Sequence, residues 1–119
     1  MVESDPAISE LCLRLLSAEG FVVDGAMDGQ TARSMISKHK YSLCICDFRA
    51  PLMSGWEFYN YVQQHCPQMG RGIIFTSAAI AEDDEQRFVE ATGNTYLPKP
   101  FTPAELRAKV RGIIERSAT

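Results

Sequence analysis

Apolar positions along the chain switch between two spacings. Ile8, Leu11, Cys12, Leu15 and Leu16 recur at i, i+3, i+4, i+7 and i+8, which is one stripe of a helix. Asp5 and Pro6 start it: the carboxylate can accept from open N–H groups of the first turn, and proline there gives up no needed donor. Gly20 suits its C-terminal cap. Phe21, Val22 and Val23 then read as a strand, and Asp28-Gly29 leads into a weaker helix carrying Ala32, Met35 and Ile36. Residues 41–46 form a continuous apolar run, suited to a strand covered on both faces, that stops at Asp47. A loop over 48–54 precedes a helix with Trp56, Tyr59 and Val62, closed by Pro67. Residues 72–76 are a further strand. The acidic run Glu82, Asp83, Asp84 and Glu85 starts a fourth helix as a solvated turn, where negative charge suits the positive end of the helix dipole. Thr95, Tyr96 and Leu97 make a short strand. Thr102, Pro103 and Glu105 form a capping box for a last helix, whose buried stripe is Leu106, Val110, Ile113 and Ile114.

Strands alternating with helices at this spacing imply an α/β fold with a mostly parallel sheet. The first strand should precede Asp5, yet only Met1, Val2 and Glu3 are available for it. The expectation is a fragment of a longer protein that lacks the start of that strand. A length of 119 residues gives one domain, 1–119, with a hydrophobic share of 45% that supports an ordinary core. A net charge of −3 argues against a general nucleic-acid or anionic-membrane binder. Cys12, Cys44, Cys46 and Cys66 form no C-x-x-C pair, and His39 and His65 stand at no zinc-ligand spacing from them. Cys44 and Cys46 alternate along a strand and are expected in the core. No apolar stretch approaches the ~18 residues of a membrane span, so a reduced, cytoplasmic setting without membrane insertion is expected.

In an open parallel sheet, ligands bind beyond the carboxyl ends of the strands. Glu3, Ser4 and Asp5 follow the first strand, Asp47 ends the third, Thr76 ends the fourth, and Lys99 follows the fifth. Crowded carboxylates repel unless a cation separates them, which invites a divalent metal. A lysine and a threonine opposite them are what a transferring phosphoryl group needs.

Four segments carry a resemblance. Residues 2–6 resemble the acidic first loop of the receiver domains of two-component response regulators. Asp47, Pro51, Met53 and Gly55 resemble their D-x-x-M-P-x-M-x-G segment around the phosphoacceptor. Residues 74–78 resemble the strand that ends in Thr or Ser, and Lys99, Pro100 and Phe101 resemble the Lys-Pro-Phe signature after an aromatic position. The resemblance implies a doubly wound, flavodoxin-like sheet of five parallel strands in the order 2-1-3-4-5, flanked by five helices. It implies that Asp47 takes a phosphoryl group from a phosphohistidine on a sensor histidine kinase or phosphotransfer domain. Glu3, Asp47 and the backbone carbonyl of Arg49 would face Mg²⁺, with Asp5 acting only through a water. Thr76 and Lys99 would contact phosphoryl oxygens, Tyr96 would turn inward with Thr76, and the Lys99-Pro100 bond would be cis. The switch would act on the face of the fourth helix, fifth strand and fifth helix. Ser4, Arg49 and Ala78 would modulate the site. A covalently linked output or kinase domain and a homodimer are compatible partners; direct nucleic-acid binding is not expected.

Two departures bear on this. Ser4 stands where receivers usually have a second acid, so Mg²⁺ affinity should fall, and Ala50 replaces the usual Met. Ser4 keeps an alternative open: a degenerate receiver that works as an interaction module independent of phosphate. No independent substrate turnover is expected. A haloacid-dehalogenase-like phosphatase would need an acid two residues after its nucleophile, where this chain has Arg49, and Glu3 and Asp5 would repel a flavin phosphate.

Overall fold

The computed structural model describes residues 1–77 and 83–118. Ala78 and Glu82, both singled out above, lie outside them. Three strands form continuous ladders: β1 (Cys44–Asp47), β2 (Ile73–Ser77) and β3 (Thr95–Pro98). They pair in parallel in the order β1-β2-β3. Val2 extends this sheet by a bridge to Cys46 on one side and to Ala26 on the other, both parallel. Its amide donates to Ile45 O at 2.7 Å and its carbonyl accepts from Asp47 N at 2.9 Å, while Ala26 bonds Met1 O and Glu3 N. Five parallel tracks therefore run Ala26, Val2, β1, β2, β3, the expected 2-1-3-4-5 order.

The edge is thinner than the apolar pattern suggests. Among the described residues the second track is a single bridge at Ala26, not a ladder over Phe21, Val22 and Val23. Val22 is 97% exposed, while Phe21 and Val23 tuck partly against the core, which is the in-out alternation of extended chain at an edge.

Five helices cover the sheet: α1 (Pro6–Ala18), α2 (Gly29–Lys38), α3 (Gly55–His65), α4 (Asp83–Ala91) and α5 (Pro103–Ala118). Asp5 Oδ1 accepts from Ala7 N and Ile8 N, as expected of the cap. At the other end Gly20, at φ +95°, sends its amide to Ser17 O while Phe21 N reaches Leu16 O, a paired closure that needs a left-handed residue. Thr102 and Glu105 exchange the two bonds of a capping box, and Ser54 and Glu57 do the same for α3. The stripe of α1 is narrower than its spacing implies: Cys12 and Leu16 are buried, but Leu11 is 55% exposed.

Alternation along the strands splits the core in two. Cys44, Cys46, Ile73 and Phe75 face one side, with Phe58 and Val62 of α3 and Val89 of α4. Ile45, Ile74 and Leu97 face the other, with Cys12 and Leu16 of α1 and Leu106, Val110 and Ile113 of α5. All four cysteines are buried free thiols. Burial pushes Cys12 and Cys44 up to about 11, so neither is a thiolate at neutral pH.

Candidate functional site

The register of the ladders places the site. Asp47 and Thr76 are Cα partners, and Thr76 is in turn the partner of Leu97, so the three strands end level with one another. Phe48 N donates to Thr76 O at 2.8 Å and Lys99 N donates to Ser77 O at 2.6 Å, which holds the segments leaving β1 and β3 against β2. The Lys99-Pro100 peptide is cis, as the resemblance implied.

Three charged side chains meet there. Lys99 Nζ lies 2.6 Å from Glu3 Oε1 and 3.3 Å from Asp47 Oδ2. Glu3 is 1% exposed, and its second oxygen accepts from Asp5 N at 3.0 Å, so both of its oxygens are engaged. Asp47 Oδ1 accepts from Arg49 N at 3.2 Å. Burial alone would lower the Lys99 pKa; the hydrogen bond to Glu3 and the charges of Asp47 and Glu3 outweigh it and hold the ammonium above its ordinary value. Lysine is therefore charged here at any physiological pH.

Thr76 is the other half of the arrangement. It is buried, and its Oγ1 meets no hydrogen-bond partner among the described residues. A hydroxyl left so costs free energy unless something polar comes to it. Its strand partner is Asp47, and Cα partners of a parallel pair present their side chains to the same face.

Among the described residues no three Asp, Glu, His or Cys side chains are grouped to hold a metal ion unaided. Ser4 is exposed and brings no charge, and Asp5 is committed to capping α1. Two carboxylates remain, Glu3 and Asp47, and such a donor set fits Mg²⁺, which is commonly held by one or two carboxylates with water and phosphate oxygens completing its shell.

Arg49 and Ser77 meet a residue of α4 that the sequence reading left in solvent, Glu85. Arg49 is not confined to the loop: its Nε lies 2.7 Å from Glu85 Oε1 on α4. Glu85 is 5% exposed, which corrects its reading as part of a solvated helix start, and Ser77 Oγ donates to its other oxygen at 2.7 Å. A signal was present: Glu85 stands three and four residues before Phe88 and Val89, on the inward side of α4. Tyr96 sits half-buried on β3, beside Phe75, packed against the core on the α3 and α4 side.

The geometry of the peptide around the acceptor has a packing origin. Phe48 is 1% exposed, with Phe75, Trp56 and Phe88 around its ring at 5.1–6.1 Å. A Cβ on Gly55 would lie 2.3 Å from that ring. Glycine at this place lets α3 start against Phe48, and Gly55 N donates to Phe48 O at 2.7 Å.

Known proteins share this arrangement of chain. The chain is 31% identical over 113 residues to the transcriptional regulatory protein HprR of Escherichia coli K12, covering 93% of this chain and 48% of that protein. It is 34% identical over 118 residues to the phosphate regulon transcriptional regulatory protein PhoB of Rhizobium meliloti, covering 98% and 52%. The chain thus spans about half the length of the curated relatives it matches. A CheY-like response regulator receiver domain protein from Methanospirillum hungatei superposes with a TM-score of 0.87 at 24% identity, over 98% of this chain and 93% of that one, which speaks for the fold. No described helix is long and apolar enough to cross a membrane. The family model of the response regulator receiver domain matches residues 1–111, from the acidic first loop into α5. With Asp47, Thr76 and Lys99 brought to one end of a sheet in the order such domains have, the chain belongs to the response regulator receiver family of two-component systems.

Proposed function

We propose that residues 1–119 act as a phosphoacceptor receiver and that Asp47 is the nucleophile. The supporting observation is the convergence at one sheet end of Asp47, Lys99 and the Thr76 hydroxyl, which has no hydrogen-bond partner among the described residues. One carboxylate oxygen of Asp47 attacks phosphorus of a phosphohistidine on a partner kinase or phosphotransfer domain. The P–N bond breaks, its electron pair stays on the imidazole nitrogen, and that nitrogen takes up a proton from solvent. Lys99 moves with the charge: its ammonium, 3.3 Å from Asp47 Oδ2, can follow the oxygen that becomes part of the acyl phosphate. Thr76 supplies its hydroxyl hydrogen to a phosphoryl oxygen. Receiver domains typically bind Mg²⁺ at this place; here Glu3, Asp47 and the carbonyl of Arg49 would hold it, and it would neutralise the phosphoryl oxygens. The added charge then biases Tyr96 and the face built from α4, β3 and α5. Receivers are signalling modules, and this one turns over no substrate beyond its own aspartyl phosphate.

Ser4 favours one other reading, a degenerate receiver that binds its partner without phosphate. A single experiment separates the two. The chain is incubated with acetyl phosphate and Mg²⁺ and examined by intact mass, beside Asp47→Asn. One phosphoryl group on the wild type and none on the variant is expected; no adduct at any Mg²⁺ concentration refutes the switch and leaves the interaction module.

A further inference from the structure

Two residues beside the acceptor site, Arg49 two positions after Asp47 and Ser77 one after Thr76, both point their polar groups at one side chain of α4. That side chain, Glu85, is a carboxylate at 5% exposure with each oxygen taken at 2.7 Å, one by a guanidinium and one by a hydroxyl. A buried carboxylate holds its charge at neutral pH only with such partners, and loss of the cation is the costlier of the two losses.

Arg49 is well placed to be asked for elsewhere. Its amide lies 3.2 Å from Asp47 Oδ1, while its side chain is 59% exposed and so has room to swing. A phosphoryl group on Asp47 brings a charge of about −1.5 to −2 and three strong acceptor oxygens beside this residue. Guanidinium pairs with phosphate in a two-pronged geometry that it shares with carboxylates, so Glu85 and the phosphoryl group are rival partners for one cation.

We infer that Glu85 is a positioning residue: it holds Arg49 against α4 in the resting protein, and transfer of Arg49 from Glu85 to the phosphoryl group is the step that passes the charge at Asp47 to α4. This rests on Asp47 being the phosphoacceptor. Once Arg49 leaves, Glu85 keeps, among the described residues, the Ser77 hydroxyl, and its charge draws the start of α4 towards water. Phe88 lies one turn further on, and its ring stacks 4.2 Å from Trp56, 6.1 Å from Phe48 and 5.6 Å from Tyr59. A displacement of α4 must therefore change the surroundings of Trp56, the only tryptophan in the chain.

The test measures two things on the purified chain after loading with acetyl phosphate and Mg²⁺: the half-life of the aspartyl phosphate by intact mass, and the emission of Trp56. Glu85→Gln keeps the shape and the Ser77 contact but gives up the charge. Arg49 then gives up its buried carboxylate partner on α4 and turns more readily to the phosphoryl group, so the adduct should live about fivefold longer or more, the lower end of what coupled sites show. The emission of the unloaded variant should already lie part-way to that of the loaded wild type. In an Arg49→Ala background the same substitution should leave the half-life unchanged, because the contested cation is gone. A loosened helix that merely weakens the fold would act equally in both backgrounds. An adduct of wild-type half-life in Glu85→Gln, or an equal effect with and without Arg49, overturns the inference while the acceptor role of Asp47 stands. Absence of any adduct on the wild type overturns both. If Glu85→Gln does not fold, Glu85→Asp, which keeps the charge but draws it one methylene back from Arg49, should lengthen the half-life in the same sense and to a lesser degree, and a wild-type half-life there overturns the inference as well.

Discussion

Replacing Thr76 by valine should make the unphosphorylated chain more stable and its phosphorylation worse. The hydroxyl of Thr76 is buried and without a hydrogen-bond partner among the described residues, and valine fills the same space with a methyl group. A buried polar group left unpaired costs about 1–3 kcal/mol, and that cost disappears with the oxygen. For a chain between the 100- and 150-residue classes, each kcal/mol moves the melting midpoint by about 3–5 °C, so a rise of about 3 °C or more is expected. The phosphorylated state responds in the opposite sense. A hydrogen bond to a charged acceptor is worth about 1.5–3 kcal/mol, so the variant should lose roughly one to two powers of ten in the equilibrium yield of aspartyl phosphate.

Thermal or urea melts of the unphosphorylated proteins give the first quantity, and intact mass after sub-saturating acetyl phosphate gives the second. The opposite signs are what make the test sharp, since an ordinary core defect would lower both stability and yield. A variant that melts below the wild type refutes the claim that the hydroxyl is stranded. An unchanged adduct yield refutes its part in holding the phosphoryl group.

Ser4→Asp should tighten Mg²⁺ binding at least about tenfold, since a unit charge about 4 Å from a divalent ion is worth roughly 2 kcal/mol even in bulk water; titration calorimetry that finds no change would place residue 4 away from the metal. Gly55→Ala should cost about 1–3 kcal/mol, because its Cβ meets the ring of Phe48 at 2.3 Å where Trp56, Phe75 and Phe88 leave that ring nowhere to go; a urea midpoint equal to that of the wild type would contradict it. Lys99 has a raised pKa in the folded chain, so its contribution to stability is fully present below the ordinary lysine value of 10.5 and is lost as pH rises through the folded value. The stability gap between the wild type and Lys99→Met should therefore stay level from pH 7 to about 10 and shrink above it, and a gap that widens there would show the sign to be wrong.

What could be read from the sequence was local or set by strand order. Asp5 with Pro6, and Thr102 with Glu105, announce helix starts because a cap is satisfied within three residues. Asp47, Thr76 and Lys99 were found because polar residues closing apolar runs fall at one end of a parallel sheet. Direct contacts between residues far apart in the chain were less legible. Strand order brings Glu3 and Lys99, 96 residues apart, to one sheet end, but does not tell that their side chains meet at 2.6 Å in the resting fold. Glu85 sat inside an acidic run that reads as solvated, and among the described residues Arg49, 36 residues earlier, and Ser77 make its burial tolerable. Leu11 shows the converse: it keeps the helical spacing of its neighbours but falls just outside the arc that α1 buries.

On the phosphoacceptor reading proposed above, a serine at position 4 bears on the cation half of the site and not on the anion half, and the two halves have different chemistry. Glu3, Asp47 and Lys99 sum to a charge of −1, where a second acid would make −2. The smaller negative charge draws a divalent cation less strongly, but it also opposes an incoming phosphoryl group less. The groups that would meet the anion on that reading are both present: the Lys99 ammonium, held charged by two carboxylates, and the Thr76 hydroxyl, buried with no hydrogen-bond partner among the described residues. A module that bound its partner without phosphate would gain stability from a valine at position 76 and would need no buried Glu3–Lys99 pair. Features that cost stability in the resting fold persist where a ligand relieves the cost, and the ligand whose geometry matches a threonine hydroxyl and a lysine beside Asp47 is a phosphoryl group. With these groups in place, Ser4 fits the proposed phosphoacceptor with a weaker draw on a divalent cation better than it fits the proposed interaction module released from phosphate.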